Sequence, residues 1–273
     1  MKRPLNGTSL VGEVAVVTGA SRGIGAAIAR ALAAEGAAVV AAARSTSERP
    51  GKLAGTLEET VSAIADVGGR AIAVPTDLTD PAAREHLVRA AEQEFGKVDI
   101  LVNNAAVVHF APGSAFPDRQ AELMLAVNVH APLHLCRMVL PGMRDRASGR
   151  ICNITSDVAG HPRTPPSRFG RTGTATVYGM CKAALERMTT GLSAEVWEDG
   201  VRVTALGPAK VVPTPGTVFH GVTREGDPRS EPPTVMAEAV ARLCGPEGAA
   251  IGGRVLRSQD LLDELAGAVS SDV

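Results

Sequence analysis

Tyr178-Gly179-Met180-Cys181-Lys182 sets the single tyrosine of the chain four residues before a lysine. In a helix that spacing brings both side chains onto one face. A free phenol titrates at about 10, too high for a base at neutral pH. An ammonium about 4 Å away, at an effective dielectric near 20, favours the phenolate by roughly 4 kcal/mol. That is enough to bring Tyr178 toward neutrality as an acid/base. The same pair is also ordinary as two solvated helix residues, so its meaning depends on what converges on it. Ser156 closes the apolar run 151–156 (ICNITS) and offers a hydroxyl donor for a carbonyl oxygen at a strand end, where ligands meet parallel sheets. Asn103-Asn104-Ala105-Ala106 follows another strand-like run, and Asn128 lies in a helical stretch. A helical Asn is as readily a locally bonded residue as a functional one. Cys181 lies between Tyr178 and Lys182 with no histidine in the motif to activate it, so it reads as a packing cysteine.

A second constellation stands near the start: Thr18-Gly19-Ala20-Ser21-Arg22-Gly23-Ile24-Gly25-Ala26. A tight strand-to-helix turn needs residues without Cβ where the chain doubles back and where a phosphate approaches. The following helix offers free N–H groups and the positive end of its dipole to a pyrophosphate. The spacing is G-x-x-x-G-x-G, not the G-x-G-x-x-G of other dinucleotide folds. Residues 19–23 also fit G-x-S-x-G, the nucleophile elbow of α/β-hydrolases, with Ser21 as nucleophile. That elbow belongs deeper in a sheet, after a strand that has supplied an oxyanion loop, and too little chain precedes Ser21.

These residues need a scaffold, and the chain alternates short apolar runs with helical patterns. Strands are predicted at 13–18, 38–43, 71–74, 99–103, 150–155, 201–206 and 254–256, and helices at 25–35, 57–67, 81–95, 118–144, 175–197 and around 234–243. Asp80 before Pro81 is an N-cap followed by proline at the first helical position. Alternation of this kind implies an α/β fold with a parallel sheet covered on both faces. Two stretches break the rhythm: 161–174, rich in Pro, Arg and Gly, and 208–233, which holds prolines 208, 213, 215, 228, 232 and 233. Both read as long loop insertions, functional lids or mobile surface segments.

Composition narrows the classes. The chain has 273 residues, 45% of them hydrophobic, which suits one large domain. With 28 basic and 29 acidic residues, no basic excess marks a nucleic-acid surface. No apolar segment follows Lys2-Arg3, and the apolar run 37–43 is too short to span a bilayer, so neither a signal peptide nor a membrane anchor is expected. Four scattered cysteines and six unclustered histidines predict neither disulfides nor a metal site, and a reducing cytoplasm is the expected compartment.

Residues 18–25 (T-G-x-x-x-G-I-G), Asp77-Leu78, Asn103-Asn104-Ala105, Asn128, Ser156 and Tyr178-x-x-x-Lys182, in that order, resemble the short-chain dehydrogenase/reductase family, in its single-domain branch, over nearly the whole chain. The resemblance implies one domain, 1–273, with a Rossmann-like, doubly wound, seven-stranded parallel sheet. It also implies a homodimer or homotetramer joined through the two long helices carrying Asn128 and Tyr178. By the same resemblance Gly19, Ser21, Arg22, Gly23, Ile24 and Gly25 hold the dinucleotide. Asp77, beside Leu78, meets adenine, and Asn104 and Ala105 lie by the adenosine ribose. Tyr178 is the acid/base, Lys182 binds ribose and lowers the phenol pKa, Ser156 orients the carbonyl, and Asn128 anchors a proton-relay water. Val211, after Pro208, meets the nicotinamide amide through its backbone.

The chain departs from the family pattern at Ala106 for Gly, Pro208-Ala209 for Pro-Gly, Thr204 for Asn, and in the lengths of 45–56 and 161–174. These departures suggest an unusual substrate mouth. NAD-preferring members place an acid after the second strand for the ribose 2′-hydroxyl. Here Ala43-Arg44-Ser45 stands there, with Arg22 in the glycine turn, and two guanidinium groups suit a 2′-phosphate. NADP(H) is therefore expected rather than NAD(H), with Glu48 turning back to the ribose as the alternative. The expected activity is reversible hydride transfer between NADP(H) and a small-molecule carbonyl/alcohol pair, tilted toward reduction. A non-catalytic NADP(H)-sensing module is the other reading, and the intact Tyr178, Lys182 and Ser156 speak against it.

Overall fold

Apolar runs without polar alternation are stable as strands only when both faces are covered, and the first of them, β1 (Val14–Thr18), is buried along its whole length. The computed structural model describes residues 7–162 and 174–270. Its sheet continues with β2 (Ala38–Ala43), β3 (Arg70–Pro75), β4 (Ile100–Asn103), β5 (Gly149–Ile154), β6 (Val201–Gly207) and β7 (Val255–Arg257). All seven strands are parallel, in the order β3-β2-β1-β4-β5-β6-β7. The order reverses between β1 and β4, and the crevice beyond their carboxyl ends is where such sheets take ligands.

The helices are α1 (Gly23–Ala34), α2 (Leu57–Ala65), α3 (Pro81–Phe95), α4 (Asp118–Leu125), α5 (Ala131–Asp145), α6 (Thr176–Val196), α7 (Pro215–Phe219), α8 (Pro233–Cys244) and α9 (Ser258–Ser270). One face of the sheet is covered by α1, α2, α8 and α9 through Ile28, Leu32, Ile64, Val240 and Leu261. The other is covered by α3, α5 and α6 through Leu87, Leu135, Val139, Leu192 and Val196. Asp80 caps α3 as expected, its carboxylate accepting from the Ala82 N–H at 2.9 Å.

Three elements differ from the sequence expectation. The single helix anticipated over 118–144 is two α-helices joined by a π-turn, Ala126–His130. Pro132 has no N–H, so the Asn128 carbonyl loses the i+4 donor that an α-helix would supply, and the ladder widens there. Residues 118–145 together are long and apolar enough to cross a bilayer by composition, but half of their most apolar 18-residue window is buried against the rest of the chain. The anticipated loop 208–233 contains α7, and its two ends are joined by a bridge between Val211 and Ser230. The terminal helix α9 was not anticipated; Leu261, Leu262 and Leu265 fasten it to the core beside α8. Of the anticipated insertion 161–174, residues 163–173 lie outside the described residues.

Candidate active site

The carboxyl ends of β1 and β4 are tied together by Thr18. Its hydroxyl accepts from the Asn104 and Ala105 N–H groups at 3.0 and 3.1 Å, and its carbonyl accepts from the Asn104 side-chain amide at 2.8 Å. Asn104 thereby braces the glycine turn from beneath. A Cβ on Gly25 would collide with the Gly19 carbonyl and the Asn104 amide, so only glycine lets α1 start this close to β1. The first N–H groups of α1 thus open onto the crevice, a site suited to a pyrophosphate. Ser21 is buried in this turn, Gly23 leads α1, and Ile24 packs against the core.

Arg22 turns toward the end of β2. Its Nη2 donates to Ser45 Oγ at 2.6 Å and to the Gly55 carbonyl at 2.9 Å. Its Nε is buried with no hydrogen-bond partner among the described residues. Burial and the nearby Arg44 charge hold the Arg22 guanidinium below its ordinary pKa. Two cations, one partly dehydrated with a donor unused, favour an anion between them. Segment 45–56, one of the departures expected to give an unusual substrate mouth, folds over Arg22 beside the glycine turn. Partial burial would raise the Asp77 pKa, but the Thr79 N–H and hydroxyl (2.9 and 2.8 Å) and the Arg44 charge outweigh it and hold the carboxyl below its usual range. Leu78 beside it is buried, and its carbonyl accepts from Arg84.

At the other end, α6 docks against the end of β5. Lys182 Nζ donates to the Ile154 carbonyl at 2.7 Å, and the Thr155 hydroxyl donates to Glu186 at 2.7 Å. A Cβ on Gly179 would collide with the Val158 carbonyl, so this glycine brings the Tyr178 turn close to the segment that begins at Ser156. The Tyr178 ring centroid lies 5.7 Å from Lys182 Nζ. The expected depression of the phenol pKa is not what this geometry produces. Burial pushes Tyr178 up to about 12, with Cys181 adding to it, and pushes Lys182 down to about 8. Desolvation of both charged forms outweighs their attraction at this separation. Cys181 is fully buried and its thiol is raised, consistent with packing.

Asn128 sits in the π-turn. Its side chain pairs with both backbone groups of Val107, accepting from N–H at 2.9 Å and donating to the carbonyl at 2.8 Å. The side chain thus holds the loop after β4. Val211 lies at the base of the 208–233 segment, where its carbonyl accepts from the Glu231 N–H at 3.0 Å. Pro208 follows β6 directly.

Asn153 and Thr189 are absent from the residues singled out by sequence for the site. A buried chain runs from the Asn103 amide to Asn153 and from Asn153 to Thr189, each at 2.8 Å, fixing β4, β5 and α6 together. Thr214 caps α7 and lies against the glycine turn: a Cβ on Gly23 would stand 3.1 Å from it. The Thr214-Pro215 pair carried a readable cap signal; the buried amides carried none, because their partners are distant in sequence.

The buried Lys182 predicts a cost in stability. Its pKa is about 8 when folded against about 10.4 for a free lysine. Between those values the unfolded chain binds a proton that the folded one does not, so stability rises with pH there and the full cost stands below about 8. Lys182→Met, without nucleotide at pH 7, is expected to gain about 1 kcal/mol. The cost relieved is about 3 kcal/mol, less the penalty of an orphaned Ile154 carbonyl. Urea unfolding of both proteins measures this, and a loss of stability in the variant would count against a strained ammonium.

The family model described as short chain dehydrogenase matches residues 13–218. The chain is 33% identical over 237 residues to the ketoacyl reductase HetN of Nostoc sp., covering 86% of this chain and 76% of that one. It is similar in structure to a 3-ketoacyl-(acyl-carrier-protein) reductase from Brucella melitensis complexed with NADH, at 31% identity and a TM-score of 0.77, covering 91% of this chain and 97% of that one. A short-chain dehydrogenase from Burkholderia cenocepacia in complex with NADP is similar at 30% identity and a TM-score of 0.76, covering 92% and 97%.

Proposed function

The chain belongs to the short-chain dehydrogenase/reductase family of NAD(P)-dependent oxidoreductases, and from that premise we propose that it reduces a carbonyl compound to an alcohol with NADPH. The observation that carries the direction is the cation pair at the end of β2, Arg22 with its buried, unused Nε beside Arg44, which suits the 2′-phosphate of NADPH; burial, which raises the Tyr178 phenol to about 12, agrees with it. A phenol at that value keeps its proton at neutral pH and is a donor, which is what an oxygen turning into an alkoxide requires.

The residues present fit a phosphorylated dinucleotide. The Gly19–Gly25 turn leaves room for the pyrophosphate, and the unused Arg22 Nε with Arg44 and Ser45 suits a 2′-phosphate. Asp77, Asn104 and Ala105 stand toward the adenosine, and Lys182, Pro208 and Val211 toward the nicotinamide half. When bound, the nicotinamide supplies the hydride that bonds to the carbonyl carbon. Ser156 donates a hydrogen bond that orients the carbonyl oxygen. Tyr178 passes its proton to that oxygen as the C=O π bond opens, giving the alcohol. The proton lost from Tyr178 is restored from solvent past Lys182 and a water anchored at Asn128.

The buried, free thiols suit a cytoplasmic protein. Leu133 on α5 and Met180 on α6, exposed on the two long helices, suit a homodimer or homotetramer joined there.

The test supplies NADPH with a deuterium at the transferable position. Ketone, aldehyde and 3-oxoacyl thioester panels should yield an alcohol deuterated at the former carbonyl carbon, at kcat/KM at least tenfold above that with NADH. Consumption of NADPH without label in an alcohol would overturn the reaction. Preference for NADH, the cofactor in the Brucella structure, would favour an NAD-dependent alcohol dehydrogenase instead.

A further inference from the structure

Aromatic residues make up only 3% of the chain, yet three of its five phenylalanines stand on two segments flanking the proposed site. His109 and Phe116 meet edge to face at 5.4 Å between ring centroids. Phe110 meets His220 the same way at 5.8 Å, and His220 meets Phe219 at 5.2 Å. The Phe110–His220 contact joins two elements far apart in sequence, the loop after β4 and the end of α7.

Both elements are anchored at the site. The loop after β4 is held by the Asn128–Val107 pair and by the Ala111 N–H donating to the Thr174 carbonyl at 3.1 Å, four residues before Tyr178. Phe116 and Tyr178 pack on one small cluster, Met124, Val177 and Cys181. The other anchor is Thr214, against Gly23 of the phosphate turn. From there α7 runs to His220 and the Phe110 contact, so it bridges from the glycine turn to the Tyr178 side. Phe219 is 65% exposed and Val218 and Val222 about 40%, so α7 presents apolar surface with little of its own to cover it.

We infer that Phe110 and His220 form a ring gate at the mouth of the Tyr178 site and select ketones bearing an apolar ring over small polar carbonyls. A flat ring entering beneath α7 exchanges the Phe110–His220 edge contact for contacts with its own face and edge. A small hydroxylated carbonyl opens the same contact and replaces it with nothing. The inference rests on the proposed reduction only for where the carbonyl goes; the binding preference stands apart from the chemistry.

The experiment separates the two. Binding of 1-tetralone and of hydroxyacetone to the NADP-loaded protein is measured by calorimetry, and kcat/KM for both with NADPH, in the parent, Phe110→Ala, His220→Ala and His220→Phe. The parent should favour tetralone in both measures. Each alanine variant should lower the tetralone-to-hydroxyacetone ratio about tenfold, equivalent to about 1.4 kcal/mol. His220→Phe, which keeps a ring edge, should hold the ratio within about threefold. Ratios unchanged within twofold in both alanine variants, no tetralone binding, or a parent that favours hydroxyacetone would overturn the gate. Tetralone binding that responds to the alanine variants without turnover in the parent would overturn the reduction and leave the gate standing.

Discussion

Tyr178→Phe is expected to lower kcat for carbonyl reduction by about 1,000-fold or more, within or beyond the usual range for losing a positioned acid, while NADPH affinity stays within about threefold. The ring's packing survives the change, because phenylalanine fills the same space on the Met124–Val177–Cys181 cluster. Only the proton is lost. The pH profile of the parent carries the second half of this prediction. Tyr178, at about 12, stays protonated well beyond neutral pH, whereas Lys182, at about 8, loses its proton just above it. The ammonium is the competent form for returning a proton to Tyr178. Reduction should therefore be flat below pH 7 and fall as pH rises through about 8. Stopped-flow reduction rates with a cofactor titration decide both points. Residual turnover within tenfold of the parent would remove Tyr178 from the role of acid. A profile level to pH 10 would mean that Lys182 does not govern the proton.

Arg44→Ala is expected to weaken NADPH about 10- to 100-fold and to leave NADH within about twofold. A hydrogen bond to a charged group contributes roughly 1.5–3 kcal/mol, and each 1.4 kcal/mol is about tenfold. Arg44 is the cleaner probe of the two arginines. It is exposed, whereas Arg22 also holds Ser45 and Gly55, so its loss would loosen segment 45–56 as well. Ala43 is the last residue of β2, where a carboxylate would reach a ribose hydroxyl and repel a phosphate. The Ala43→Asp/Arg44→Ala double variant should therefore reverse the preference. Values of kcat/KM for both cofactors in the three proteins test this. Equal losses for both cofactors in Arg44→Ala would move the ribose contact elsewhere, with Glu48 the next candidate.

The fold was legible because its signals are local. Apolar-rich runs of about three to six residues, alternating with helical periods, are best satisfied by a parallel sheet covered on both faces. All seven strands lie where those runs predicted, within a residue or so at each end. The motif residues were legible for the same reason. A glycine turn between strand and helix, and a Tyr–Lys pair one helical turn apart, depend on spacing alone. Three things were decided by tertiary structure. The pKa values were one: the sequence placed Tyr178 near an ammonium, but burial of both groups, set by β5 and α6 coming together, reversed the sign of the expected phenol shift. The place of segment 45–56 was another, because its contact with Arg22 spans the sheet end and leaves no periodic trace. The third was the set of buried polar links, Thr18 to Asn104 and Asn103 through Asn153 to Thr189, whose members look interchangeable with solvated residues until their partners arrive. Spacing along the chain determined which groups this protein can use; desolvation and long-range pairing, which exist only once the sheet has formed, decided their charge states and their neighbours.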